Sequence, residues 1–188
     1  MLLVRLGVLL SIKSSVSIAL FLATTASAIL TSCPAAVHAQ LDALYRWRLA
    51  AQDRPGLVVI ASQSSRFTPQ LDTLLRQAYA PGAEQTHPVD FDLFNGTQTQ
   101  TFAAAIQGCR AVDPRHLQVV VDVRAGLRDR PHEPPQRLTY AMVQAPGGAW
   151  QIADIVYPGQ PPLSLKSYLQ QLIQPRVTHS PSAAETAR

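Results

Sequence analysis

Apolar residues recur at helical spacing in two early stretches and one late one. Leu41, Leu44, Tyr45 and Leu49 fall three and four apart and predict an amphipathic helix over Leu41–Gln52, ended by Asp53-Arg54-Pro55-Gly56. Leu57–Ala61 is a short apolar run whose pattern does not decide between helix and strand. Thr68 followed by Pro69 is an N-cap signal, and Leu71, Leu74, Leu75 and Ala78 supply one buried stripe until Pro81-Gly82. From about Gln98 the period falls to two. Leu117, Val119, Val121 and Val123 alternate with Gln118, Val120, Asp122 and Arg124, and Leu138, Tyr140 and Met142 continue the pattern after a proline-containing loop over 125–136. Ala145-Pro146-Gly147-Gly148-Ala149 predicts a tight hairpin into Trp150, Ile152, Asp154 and Val156. Leu165, Tyr168, Leu169, Leu172 and Ile173 return to helical spacing until Pro175, and Thr178–Arg188 has the composition of a disordered tail. Helices followed by an antiparallel meander imply an α+β layer architecture: N-terminal helices packed on one face of a curved sheet, plus a C-terminal helix.

The first 40 residues change where this domain is placed. Arg5 and Lys13 precede Val16–Leu30, an uncharged apolar and small-residue run, as in a secretory signal. Two processing sites compete. Val37-His38-Ala39 before Gln40 has small residues at the third and first positions ahead of a cut, which predicts a signal over residues 1–39, a domain over 40–175 and a tail over 176–188. Leu30-Thr31-Ser32-Cys33 resembles a bacterial lipobox, in which Cys33 would be lipidated and anchor the domain to a membrane. These two, and an uncleaved anchor as the third reading, all place the folded part outside the cytoplasm, periplasmic or secreted. With Cys33 removed or acylated, Cys109 is left alone, so the expectation is a small buried thiol and no internal disulfide.

Charge excludes one class of partner. Taking Arg5 and Lys13 from the 16 basic residues leaves 14 against 12 acidic, a net charge of about +2, and the basic residues are spread from Arg46 to Arg188 with acids between them. Nucleic-acid readers cluster their basic residues, so none is expected as a partner.

Three strings carry a family resemblance: Leu44-Tyr45-Arg46-Trp47, Val89-Asp90-Phe91-Asp92-Leu93-Phe94, and Trp150-Gln151-Ile152-Ala153-Asp154-Ile155-Val156-Tyr157 running on to Leu163-Ser164-Leu165. In this order the chain resembles the bacterial exported proteins grouped as domain of unknown function 3828, similar to the nuclear-transport-factor-2-like superfamily, over about Leu41–Ile173. The resemblance implies a cone-shaped α+β fold with a mouth, and an export signal. Such families follow the Asp-Phe-Asp string with Gln-Asp, whereas here Gln98 is followed by Thr99.

Among candidate chemical groups Asp154 stands first, since strand alternation places it with Trp150, Ile152 and Val156. On a concave face it would be desolvated and could serve as a general base or hold a polar ligand; the alternative is a structural acid hydrogen-bonded to backbone. No second catalytic group stands at a telling spacing, which weighs against an enzyme. Tyr45, Trp47 and Trp150 are candidate cavity walls, though core packing accounts for them as well. Asp90 and Asp92, two apart, would face one side of an extended chain; the alternatives are a weak cation site and, as the favoured reading, a turn-and-cap device beside Phe91 and Phe94. Asn95-Gly96-Thr97 matches a glycosylation acceptor but is foremost a turn signal. His87, His116, His132 and His179 are scattered, and Pro134-Pro135 after His132-Glu133 precludes a helical zinc motif, so neither metal nor cofactor is expected. The leading expectation is an exported, non-catalytic domain binding a small ligand or a partner protein. The alternatives are a proton-transfer enzyme using Asp154, isomerase- or dehydratase-like, and an immunity-type or envelope interaction protein.

Overall fold

The computed structural model describes residues 30–52, 60–80, 89–127, 130–131 and 134–174. Helix α1 spans Ala35–Ala51, a 3-10 turn spans Ser64–Arg66, and helix α2 spans Pro69–Ala78. Strands β1 (Gln100–Asp113), β2 (His116–Leu127), β3 (Arg130–Pro131), β4 (Gln136–Gln144), β5 (Trp150–Tyr157) and β6 (Leu163–Ser164) follow, and helix α3 spans Leu165–Ile173. The α+β expectation holds: an antiparallel sheet in the order β1-β2-β4-β5-β6, with β3 pairing β2, carries the helices.

Side-chain alternation explains which face is covered. Val119, Val121 and Val123 of β2, Leu138, Tyr140 and Met142 of β4, and Ile152, Ile155 and Tyr157 of β5 are buried, and their neighbours along each strand are more exposed. Against this face lie Val37, Leu41, Leu44 and Tyr45 of α1, the α2 stripe Leu71, Leu74, Leu75 and Ala78, and Leu165 and Leu169 of α3. Thr68 caps α2 as expected, its hydroxyl accepting from Leu71 N at 3.4 Å. The hairpin over 145–149 closes with Ala145 N donating to Ala149 O at 2.8 Å, and Gly148 takes a left-handed φ of 85° there.

Four expectations are corrected. The first helix begins at Ala35, six residues before Leu41: Val37 is fully buried one turn ahead of Leu41, and Val37 N donates to Pro34 O at 2.9 Å. Alanine-rich sequence that reads as a cleavage region is also the best helix former. The expected boundary between Ala39 and Gln40 therefore falls inside α1.

Second, Cys109 is not alone. It is bonded to Cys33 across 76 positions of sequence, which engages the very sulfur that lipidation of Cys33 would need. A bulge between Ile106 and Gly108 brings this about: Ile106 opposes Val121 and Cys109 opposes Val119, so both residues face the core although three positions apart. Beside the bond Thr31 bridges Cys109 in antiparallel fashion, Thr31 N donating to Cys109 O at 2.8 Å and Cys109 N to Thr31 O at 2.9 Å.

Third, the loop expected over 125–136 is partly strand, because β2 runs on to Leu127 and pairs with Arg130–Pro131. Fourth, Asp154 does not share a face with Ile152. Ile152 opposes Met142 while Asp154 opposes Ala141, so Ala153 is an extra residue and the parity of β5 reverses beyond it. The apolar run over 57–59, the stops at Pro81-Gly82 and Pro175, His132-Glu133 and the tail over 178–188 lie outside the described residues.

Candidate functional site

Two grooves open beside α1. The larger, about 700 Å3, lies where the C-terminal end of α1 meets the segment over 89–92, the approach to β1 and the end of β2. Arg48, Gln52, Asp90, Asp92, Thr97, Gln98 and Thr99 give it hydrogen-bonding walls, and Val89, Phe91 and Leu127 give it apolar ones.

Its floor is fixed by a tight turn. Asp92 Oδ1 accepts from Phe94 N at 2.7 Å, Asp92 N donates to Thr97 O at 2.7 Å, and Gly96 N donates to Asp92 O at 2.8 Å. Gly96 sits at φ 71°, and a Cβ there would stand 2.8 Å from the Tyr157 ring, so geometry and space both call for glycine. Asn95 is fully buried; its amide donates to Thr99 O at 2.8 Å and Thr101 Oγ1 at 3.0 Å, and its Oδ1 accepts from Thr97 N at 2.7 Å. The turn reading of Asn95-Gly96 holds, and the buried amide has no access for a glycan. The other Asp92 oxygen pairs with Arg48, whose Nε donates at 2.7 Å and whose terminal nitrogen also contacts it. Arg48 and Asp92 are mostly shielded, so α1 and the turn are locked by a partly desolvated, hydrogen-bonded ion pair. Asp90 is exposed at the rim and accepts from Tyr168 Oη at 3.3 Å.

Behind this floor the interior is filled. Tyr45 Oη donates to Phe94 O at 3.0 Å and lies 2.8 Å from Tyr140 Oη, and Tyr157 Oη donates to Leu93 O at 2.8 Å. Burial raises the phenol pKa of Tyr45, Tyr140 and Tyr157, so all three stay neutral and serve as hydrogen-bonding pillars. Trp47 packs edge-on against Phe94 at 5.7 Å, and Phe91 packs against Tyr157 at 5.2 Å.

The second groove, about 580 Å3, runs between α1 and β1 and is lined chiefly by Tyr45, Leu49, Phe102, Ala104 and Ile106, with Asp42 and Arg46 beside them.

The four residues singled out from sequence are not gathered into one site. Tyr45 is a buried pillar that also edges the second groove, while Trp47, Trp150 and Asp154 line neither groove. Trp150 opens β5 opposite Gln144 and is half-buried against the core. Asp154 is a structural acid. Its Oδ2 accepts from Ser164 Oγ at 2.6 Å, and its Oδ1 accepts from Lys166 N at 2.9 Å and Ile155 N at 2.8 Å. Ser164 in turn caps α3 by accepting from Ser167 N, so the carboxylate holds the first turn of α3 against β5. Site residues that sequence reasoning passed over include Arg48 and Gln52, one helical turn apart at the end of α1, and Leu127 at the end of β2, and no sequence spacing ties them to the turn at Asp92. Among the described residues no cluster of His, Cys, Asp and Glu is suited to a metal. Comparison with family models, with curated proteins and with solved structures finds no match to this chain.

Proposed function

We propose that this protein is an exported, non-catalytic binding domain whose larger groove takes a small polar ligand, with a nuclear-transport-factor-2-like cone as the fold behind it. The groove itself carries the reading: hydrogen-bonding side chains from three separate parts of the chain converge around the Arg48–Asp92 pair over a floor too well tied to collapse. Export is supported by the charged and then apolar N-terminal segment and by the pairing of both cysteines of the chain, a bond that persists in oxidising compartments. Among the described residues no helix is long and apolar enough to cross a membrane. The enzyme alternative loses support because its base, Asp154, is spent on a hydroxyl and two backbone amides at the start of α3. The apolar groove between α1 and β1 is what favours a partner protein as the second reading.

Native mass spectrometry on protein purified from the exported fraction tests this. A stoichiometric small molecule is expected, lost when rim residues Asp90 and Gln98 are both replaced by Ala. A companion retained by that variant but lost on Asp154→Asn, or turnover abolished by Asp154→Asn with the fold intact, would overturn it.

A further inference from the structure

We propose that the chain is processed between Ala28 and Ile29, so that Ile29 is the first residue of the exported domain; this rests on the export reading above.

The fold sets the downstream limit. A cut after Ala39 would divide α1, discard the fully buried Val37 and remove Cys33 from its disulfide. It would also place a charged amine on Gln40, whose carbonyl and side-chain oxygens both accept from Arg66, at 3.1 and 3.0 Å. Acylation at Cys33 needs the sulfur already bonded to Cys109, and it would cut off Thr31, whose amide, carbonyl and hydroxyl all bond to Cys109. A further mark of residues 30–31 as part of the domain is written into β1. A Cβ at Gly108 would stand 2.9 Å from Leu30 Cβ and 3.2 Å from Thr31 O, so the strand carries its one side-chain-free residue where this segment crosses it. The described fold therefore already engages the chain at Leu30 and Thr31, ahead of both processing sites at Cys33 and Ala39.

The sequence sets the upstream limit. A signal peptidase requires small residues at the third and first positions before the cut, after an apolar run of about 7–15 residues, in a leader of about 15–30. Val16–Ala23 supplies the run, and Ala26-Ser27-Ala28 follows it with alanine at both required positions. The cut after Ala28 follows the end of the apolar run at Ala23 by five residues, whereas one after Ala39 would follow it by sixteen. Water adds across the Ala28–Ile29 peptide bond, leaving the carboxylate on Ala28 and the new amine on Ile29. In sequence that amine is two residues ahead of Thr31.

Intact mass and N-terminal sequencing of the full chain, expressed in a secretion-competent bacterium and recovered from the exported fraction, decide the matter. The expected species begins at Ile29 and carries two hydrogens fewer than its reduced form. Ala28→Leu is expected to abolish the Ile29 terminus, and Ala39→Leu, at an exposed position of α1, to leave it unchanged. An exported species beginning at Gln40, at acylated Cys33 or anywhere other than Ile29 overturns the assignment and spares the export reading. An unprocessed chain confined to the cytoplasm with free thiols overturns both.

Discussion

Reduction of the Cys33–Cys109 bond is expected to lower stability by several kcal/mol while leaving the fold in place. The bond closes a loop of 76 residues containing α1, α2 and the turn at Asp92–Gly96, all before the middle of β1. In the chain-entropy treatment a loop of that length restrains the unfolded chain by about 4.5 kcal/mol at 25 °C, an upper value because real unfolded chains are already compact. The folded state loses little by comparison. Cys109 remains buried among Val119 and its neighbours as a small apolar thiol, and Thr31 keeps its backbone bonds to Cys109. The comparison is best made on the same chain, oxidised and reduced, by urea unfolding followed by far-UV circular dichroism, with the redox state checked by mass. The reduced form is expected to unfold at lower urea with a steeper dependence, since its unfolded state exposes more surface. For a domain of this size the loss corresponds to a drop in Tm of roughly 9–18 °C. Coincident unfolding curves for verified oxidised and reduced protein, differing by less than about 1 kcal/mol, would refute the reasoning.

Asp154→Ala should destabilise by about 1–3 kcal/mol, because the Ser164 hydroxyl and the Lys166 amide lose their acceptor at the start of α3; thermal melts check it, and amide exchange should rise first in Leu165–Tyr168. Tyr45→Phe should cost more than Tyr140→Phe, about 2–3 against about 1 kcal/mol, since only the former leaves both the Phe94 carbonyl and a second hydroxyl without their partner; equal losses would contradict the network. All five tyrosines have raised pKa values, burial being the first cause in each, so tyrosinate absorbance near 295 nm should stay low through pH 10 and then rise together with loss of structure. The native state holds these protons where the unfolded chain releases them, so their contribution is intact below pH 10 and falls as pH rises, by up to about 1.4 kcal/mol per unit for each buried phenol. Ordinary hyperchromic titration at pH 10 with native circular dichroism would count against buried phenols.

The helices and the meander were legible because their signals are local. Thr68-Pro69 and the α2 stripe, the alternation of β2 and β4, and the Gly147-Gly148 hairpin each sit where pattern places them. What pattern could not carry is parity. One extra residue at Ala153 turns Asp154 from the face of Ile152 to the opposite one, and one at Gln107 turns Cys109 inward toward Cys33. Neither bulge has a signature in side-chain periodicity, although Gly108 marks the second by its lack of a side chain. The start of α1 was hidden for another reason: Ala35–Ala39 fits both a helix and the small-residue pattern of a cleavage site, and the burial of Val37 is not visible in that pattern. The larger groove was half visible, in Asp90, Asp92 and Asn95-Gly96. Arg48 and Gln52 join it only through the packing of α1 on the turn.

The disulfide also decides how the domain would carry tension. A pull applied ahead of Thr31 enters the molecule at Cys33 and passes through the sulfur bridge straight into the central part of β1, bypassing α1, α2 and the groove. The enclosed 76 residues could otherwise pay out roughly 250–270 Å of extended chain. With the bond closed that length is withheld, and the groove keeps its shape under a load that would unravel the reduced protein from its N-terminus.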